Sequence, residues 1–364
     1  MFCCRAVRLA SLKVIFNITK NNYVTGRKLC NNNKNWNAYR LFSTQKYDFF
    51  RVTGKRSSNR NYQSNFQSSL FLLSFTGLLS FLNKEDDKES ELITTIKRGI
   101  LLIQKEELQA AEQMLHLALR LAQEQQNSDG VTYVYDLLAN VAFERHQFSK
   151  AEKLFVNVMQ RELAKGTPKD DPKIVHMSLK LAKIYEETGQ IEKAEHGFKY
   201  CLECIQPLID KDSEEIRHDH DLLTLWAMSL DWYARFLQQQ NRLDEALAYY
   251  KKAYAMCVKL HGEIHEESVV LLNDIGTISY LKGDKDEALT YMTRAIEVGK
   301  HLPNMEDFSS VYVNLGNIYL KKGLYDEAKK YCSEGYKNAK RHDNPEGLKE
   351  AGICLEEIKK IFKK

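Results

Sequence analysis

The chain has 364 residues, 43% of them apolar, with 53 Lys/Arg against 49 Asp/Glu for a net charge of +4. That is enough apolar material for a sizeable core, and the length alone would suggest two or three domains. The charge is lopsided: residues 1–60 carry 13 Lys/Arg and one acid, Asp48, and the remainder carries 40 Lys/Arg against 48 Asp/Glu. The basic balance therefore comes from one end of the chain, above a mildly acidic body with no basic face readable in sequence, which argues against a nucleic-acid partner.

Residues 1–65 read as a mitochondrial presequence. Arg5, Arg8, Lys13, Lys20, Arg27, Lys28 and Arg40 are scattered among hydroxyl and amide residues with almost no acid, the composition of such import signals. Val7 to Phe16 can form a basic amphipathic helix, and Arg40-Leu41-Phe42-Ser43 resembles a matrix-peptidase cleavage context. The plainer reading is a disordered basic tail.

Residues 66–83 form a short apolar segment. Its uncharged stretch from Ser68 to Leu82 has 15 residues and spans about 22 Å as a helix, against about 30 Å of hydrocarbon in a bilayer. Three readings stand: an inner-membrane anchor, which is preferred, a sorting segment later removed, and a buried or interfacial helix. Lys55, Arg56 and Arg60 precede it; Glu85, Asp86, Asp87, Glu89 and Glu91 follow. With positive charge retained on the matrix side, the rest of the chain lies in the intermembrane space. Residues 84–90 are an acidic linker.

From 91 to 343, apolar positions recur at helical spacing in six pairs of segments. They are 92–104 with 108–125, 132–145 with 150–163, 174–188 with 192–205, 222–240 with 243–260, 267–281 with 286–300, and 308–321 with 325–341. Ser149 and Glu152 suggest a capping box at the start of the fourth helix. Pro207 is expected to end the sixth, leaving an insertion-length connection over 208–221. Residues 344–364 form a further helix that opens at Pro345, covers the open end of the stack and ends in Lys359, Lys360, Lys363 and Lys364, which suit a helix C-terminus.

The pairs share one register. Ala111, Ala151, Ala194, Ala246, Ala288 and Ala328 head the second helices at spacings of 40, 43, 52, 42 and 40 residues. Thirteen and twelve residues before each stands a large-small pair: Leu138-Ala139, Leu181-Ala182, Tyr233-Ala234, Ile275-Gly276 and Leu315-Gly316, with Arg98-Gly99 in the first unit. Four and seven residues after come Leu115/Ala118, Phe155/Val158, Phe198/Cys201, Tyr250/Ala253, Met292/Ala295 and Cys332/Gly335. This is the tetratricopeptide pattern, with a period longer than the common 34. It predicts an all-α solenoid of about six helix pairs with a C-terminal capping helix and a disordered N-terminal presequence. A solenoid grows linearly and needs no division into domains.

Chemistry is sparse. Of the eight cysteines, Cys3, Cys4 and Cys30 lie in the basic segment, and Cys201, Cys204, Cys257, Cys332 and Cys354 are scattered on apolar stripes, which suits reduced, buried thiols. Cys201-Leu-Glu-Cys204 lacks the second pair that structural zinc needs, and Cys201 sits on a small-residue stripe, so it is read as core. His218-Asp219-His220-Asp221 reads as a solvated loop. No phosphate loop, HExxH or nucleophile elbow is present. The chain is therefore read as a non-enzyme without metal, cofactor or small-molecule substrate.

A repeat array offers instead a concave groove lined by first helices. The positions facing it in this register are Tyr133, Asp136, Asn140, His176, Leu179, Lys183, Asp231, Arg235, Asn273, Thr277, Val313 and Asn317. Asn and Lys there can bond a peptide backbone or carboxylate. No Lys/Asn carboxylate clamp repeats over adjacent units, so chaperone-tail binding is not favoured.

The segments Thr132-Tyr-Val-Tyr-Asp136-Leu-Leu-Ala-Asn140, Ser178-Leu-Lys-Leu-Ala-Lys-Ile-Tyr185 and Ala110-Ala-Glu-Gln-Met-Leu-His-Leu-Ala-Leu-Arg-Leu-Ala122 resemble the mitochondrial tetratricopeptide repeat protein 19 family. The similarity covers about 91–362, and the first 65 residues match only in character. The resemblance implies an inner-membrane factor that binds assembled respiratory complex III and supports clearance of fragments of its Rieske iron–sulfur subunit. It carries over no catalytic residues. Leu260-His-Gly-Glu-Ile-His265 is similar to the inter-repeat segment of kinesin light chains. The alternative is accordingly a soluble cytosolic adaptor for cargo or chaperone peptides.

Overall fold

The computed structural model describes residues 90–211, 213, 217, 219–305 and 308–362. The presequence, the apolar segment and the linker up to residue 89 lie outside the described residues, with Cys3, Cys4, Cys30, His218, Lys363 and Lys364. The described residues form thirteen α-helices and no strand. In order they are α1 (Glu91–Gln104), α2 (Leu108–Glu124), α3 (Ser128–Glu144), α4 (Phe148–Ala164), α5 (Pro172–Glu187), α6 (Ile191–Ile209) and α7 (His220–Gln239). Then follow α8 (Leu243–His261), α9 (Glu266–Lys282), α10 (Lys285–Gly299), α11 (Phe308–Lys321), α12 (Tyr325–Arg341) and α13 (Pro345–Phe362). None of them is long and apolar enough to cross a membrane.

The register alanines hold the pairs together. All six are 0% exposed, where a larger side chain would force the helices apart. The large-small pairs make the matching close approach. A Cβ at Gly99 would sit 2.8 Å from Leu115 Cδ2, and one at Gly276 would sit 2.6 Å from Met292 Cγ. A Cβ at Gly316 would overlap Cys332 Sγ. Buried apolar side chains form clusters that each bridge neighbouring units, α1 to α3, α3 to α5, α5 to α9 and α9 to α11, as expected where a repeat buries its face only against its neighbours.

The turn inside each pair is also regular. The residue five before the register alanine has positive φ in every unit: Glu106 (60°), His146 (54°), Gly189 (75°), Asn241 (60°), Gly283 (96°) and Gly323 (78°). The next residue's N–H reaches back to the first helix, as in Gln147 N to Ala142 O at 2.8 Å and Leu324 N to Tyr319 O at 3.0 Å. That closure satisfies carbonyls which would otherwise be orphaned. It also explains why the Ser149–Glu152 capping box does not form. Helix α4 begins at Phe148 with Gln147 as its cap and no side-chain cap bond, so Ser149 is already inside it.

Side-chain caps appear mainly where one unit hands over to the next. Ser90 caps α1, Asn127 caps α3, Asp171 caps α5 and Asp219 caps α7. Asn127 accepts from Gly130 N at 2.9 Å, so α3 starts four residues before the apolar periodicity does. Asp219, in the segment read as a solvated loop, accepts from Leu222 N at 2.9 Å.

Two further expectations are corrected. Pro207 does not end α6, which continues to Ile209 with the proline inside it; an exposed last turn tolerates the missing N–H. The cysteines are not all reduced. Cys332 of α12 and Cys354 of α13 form a disulfide with Cα atoms 6.2 Å apart. Spacing concealed this pair, because the two residues share no motif and meet only when α13 folds back on α12 and α11.

Candidate protein-binding surface

First helices of successive units lie side by side, α5 against α7 and α9 against α11, and they carry the buried polar side chains among the described residues. On α3, Asn140 Nδ2 donates to Asp136 O at 2.9 Å. Burial pushes the Asp136 carboxyl up to about 6, against the pull of Lys180. The Tyr133 hydroxyl is buried without a partner, and burial together with Asp136 raises its pKa well above the ordinary phenol value.

On α5, His176 is 7% exposed and its Nε2 has no partner. Burial, with Lys180 nearby, pushes it down to about 3, so the ring is neutral at physiological pH. Lys180 itself is 1% exposed. Its Nζ lies 3.7 Å from Glu144 Oε1, 4.5 Å from the Phe143 ring centroid and 5.7 Å from that of Trp232. Burial lowers its pKa even though Glu144 and Asp136 oppose this. Lys183 Nζ lies 3.1 Å from Glu186 Oε1 and 3.0 Å from Glu187 Oε1. Burial alone would lower its pKa, but the two carboxylates raise it.

On α7, Arg235 Nε donates to Asp231 Oδ1 and Oδ2 at 3.0 and 2.9 Å, with Asp274 of α9 at 4.0 Å. On α9, Thr277 Oγ1 donates to Asn273 O at 2.8 Å. Asn314 of α11 donates from Nδ2 to Asn273 Oδ1 at 2.9 Å. The Oδ1 atoms of Asn314 and Asn317 are buried and unpartnered.

The expected groove residues thus divide. Leu179 and Val313 belong to the core: Leu179 is 0% exposed among the α5–α9 apolar residues, and Val313 packs where α12 has Gly335. A helix buried on both sides leaves little room between its core and inner faces. Lys183 and Arg235, the cations of the set, are neutralised by their own carboxylates, and so is Lys180. Among the residues expected at the groove, each lysine and arginine therefore lies beside a carboxylate. Buried on the first helices without a hydrogen-bond partner are Tyr133 OH, His176 Nε2, Asn314 Oδ1 and Asn317 Oδ1, beside the Glu186 carboxylate that faces Lys183.

Lys180, Phe143, Trp232 and Asn314 were missed in sequence. The signal for Lys180 was a lysine inside the otherwise almost apolar run Ile174-Val-His-Met-Ser-Leu-Lys-Leu-Ala182. Nothing local marked Asn314 as facing Asn273, because the contact crosses 41 residues.

These features define the chain as a tetratricopeptide-repeat solenoid whose first helices carry buried polar side chains. Family models described as tetratricopeptide repeat match residues 223–300 and 309–342. The fold is similar to that of RapI in its apo form, with a TM-score of 0.58 at 13% identity over 85% of this chain and 80% of that one. It is also similar to aspartyl phosphate phosphatase F from Bacillus subtilis, with a TM-score of 0.52 at 17% identity over 80% and 75%. At such identities the likeness concerns the fold alone.

Curated relatives go further. The chain is 40% identical to the mitochondrial tetratricopeptide repeat protein 19 homolog of Drosophila melanogaster, over 76% of this chain and 74% of that protein. It is 34% identical to mitochondrial tetratricopeptide repeat protein 19 of Homo sapiens, over 70% and 68%. The chain belongs to the mitochondrial tetratricopeptide repeat protein 19 family.

Proposed function

We propose that this chain is a non-enzymatic scaffold of the mitochondrial inner membrane that binds respiratory complex III, supports its integrity and aids clearance of Rieske iron–sulfur subunit fragments. Family membership supports the mitochondrial setting. The observation that carries the binding mode is the row of buried, unpartnered Tyr133 OH, His176 Nε2, Asn314 Oδ1 and Asn317 Oδ1 on the inner helices. A buried polar atom without a partner costs about 1–3 kcal/mol, so a partner that opens the wall enough to reach these atoms would gain the missing bonds. Since the wall's cations are already paired, the partner is held through amide and hydroxyl groups rather than through a terminal carboxylate. In this reading the repeats face the intermembrane space, with residues 68–82 as the anchor.

The test is affinity capture of the full chain from detergent-solubilised mitochondria, followed by native gels. Complex III subunits are expected in the eluate, and their absence rejects the reading. Replacing His176 and Asn317 together by alanine should weaken capture at least tenfold without unfolding the array. Unchanged capture would move the contact off the inner wall.

A further inference from the structure

We propose that Cys332–Cys354 is an oxidative latch: the cystine replaces a core side chain of the sixth repeat and fixes the terminal helix α13, so the array is completed by a disulfide donor after it folds. The register carries the argument. Four residues after the register alanine, units one to five place Leu115, Phe155, Phe198, Tyr250 and Met292, all nearly fully buried. Where the small residue of the pair is glycine, this side chain fills the space beside it, Leu115 against Gly99 and Met292 against Gly276. The sixth unit has Cys332 there, against Gly316. A thiol alone is smaller than any of the other five side chains. Its bond to Cys354 brings a second sulfur, and with it α13, into the gap.

Apart from the edge-on contact of Phe362 with Tyr325 at 5.9 Å, α13 meets α11 and α12 mainly through small residues. Its buried residues are Gly347, Ala351, Cys354 and Ile358, a stripe with one large aliphatic, while Ile353, Ile361 and Phe362 remain exposed. The pairing is also selective. Cys201, Cys204 and Cys257 form no disulfide, although Cys201 and Cys204 lie one helical turn apart.

Both latch residues are at most 1% exposed in the closed form, so exchange requires α13 to be away from α12. Closure runs by thiol–disulfide exchange with an oxidised dithiol protein. One cysteine thiolate attacks a donor sulfur, giving a mixed disulfide and one donor thiolate. The second cysteine thiolate attacks the first cysteine's sulfur, the Cys332–Cys354 bond forms, and the donor leaves carrying two electrons as a dithiol. The two protons released by the cysteines end on the donor thiolates. Once closed, the cystine is shielded from reductants. This requires a compartment where such donors work, independently of which protein the inner wall binds.

The test uses the full chain isolated from mitochondria after acid quench. Free thiols are blocked with N-ethylmaleimide in denaturant, then the sample is reduced and labelled with a second maleimide. Cys332 and Cys354 should carry only the second label, and recovery of both with the first overturns the proposal. Hydrogen exchange is then compared between the wild type and Cys354→Ala. Amides of 345–362 should exchange at least tenfold faster in the variant, with α1 to α10 unchanged; equal rates overturn the latch. Because an empty site at Cys332 could itself loosen the unit, the double variant Cys332→Met, Cys354→Ala restores the side chain that unit five uses. It should recover slow exchange in α11 and α12 but not in α13. Recovery in α13 as well would show that filling the core, not the covalent link, holds the helix.

Discussion

The Lys180 ammonium lies 4.5 Å from the centroid of the Phe143 ring, and it is the innermost charge of a wall that is otherwise wired by its own ion pairs. With Glu144 at 3.7 Å and Trp232 on the far side, it joins α3, α5 and α7. Buried pairs of this kind seldom add net stability, because desolvation offsets the attraction. The double replacement Lys180→Met, Glu144→Gln should therefore leave the array as stable or more stable, by about 1–3 kcal/mol. The single change Glu144→Gln should destabilise it by about 2 kcal/mol or more, since it leaves a buried cation with less compensation. Urea denaturation of the three proteins decides this. A double variant weaker than Glu144→Gln alone would mean that the pair holds the wall together.

Asp136 and His176 should give opposing pH dependences. The Asp136 carboxyl is pushed up to about 6, so the folded state binds protons more tightly than the unfolded chain. Its contribution to stability is full below the unfolded value and falls as pH rises through 6. His176 is pushed down to about 3, so its contribution rises with pH from about 3 to 6.5 and is full above that. Between pH 4 and 6 the two slopes cancel. The variant Asp136→Asn removes one of them. It should be more stable than wild type at pH 7.5, by on the order of 1–3 kcal/mol, and about equal at pH 4, with stability climbing over the interval. Denaturation midpoints at four pH values would show it, and parallel curves for the two proteins would exclude a buried Asp136.

Two glycines separate close approach from mere helix propensity. A Cβ at Gly197 would sit 2.7 Å from Ala182 Cβ and 3.3 Å from Ala182 Cα, against rigid atoms of α5 that cannot swing aside. A Cβ at Gly352 would meet nothing within 4 Å. Gly352→Ala should stabilise α13 by about 0.5–1 kcal/mol through propensity. Gly197→Ala should instead cost about 1–3 kcal/mol, because overpacking outweighs the same gain. Thermal unfolding that shifts both variants upward would refute the close contact between α5 and α6.

The fold was legible because a tetratricopeptide unit repeats the same small residues at the same spacing, and six coincident alanines leave little freedom. The inner wall was less so. Register placed Asp136, Asn140, His176 and Asn317 on inner helices, but it could not say that Lys183 and Arg235 spend their charge on their own carboxylates. Nor could it separate Leu179 and Val313 from that wall, since one residue of rotation moves a side chain from groove to core. The disulfide was hidden for a different reason: Cys354 lies outside the repeat, where no periodicity constrains it. Helix boundaries missed by the apolar pattern were set by the Asn127 side-chain cap at Ser128 and by backbone closure of the turn at Phe148, and apolar periodicity reports neither.

Those turns support the last expectation. The residue five before each register alanine is left-handed in all six units, and units three, five and six use glycine there, unit four asparagine. Units one and two use Glu106 and His146, for which that conformation costs roughly 1–2 kcal/mol. Glu106 is the cleaner site: it is exposed, whereas His146 also meets Phe148 edge-on at 5.6 Å. Glu106→Gly relieves the backbone cost but adds freedom to the unfolded chain, which returns part of the gain. The net should be a stabilisation of about 0.5–1 kcal/mol, concentrated in α1 and α2 because a linear array couples mainly to its neighbours. Conversely, Gly283→Ala, at φ 96°, should destabilise units five and six by about 1–2 kcal/mol although its Cβ would touch nothing. Hydrogen exchange resolved by helix would test both. A uniform response along the array, or a loss at Glu106→Gly, would show that the turn geometry is not the shared constraint of the six units.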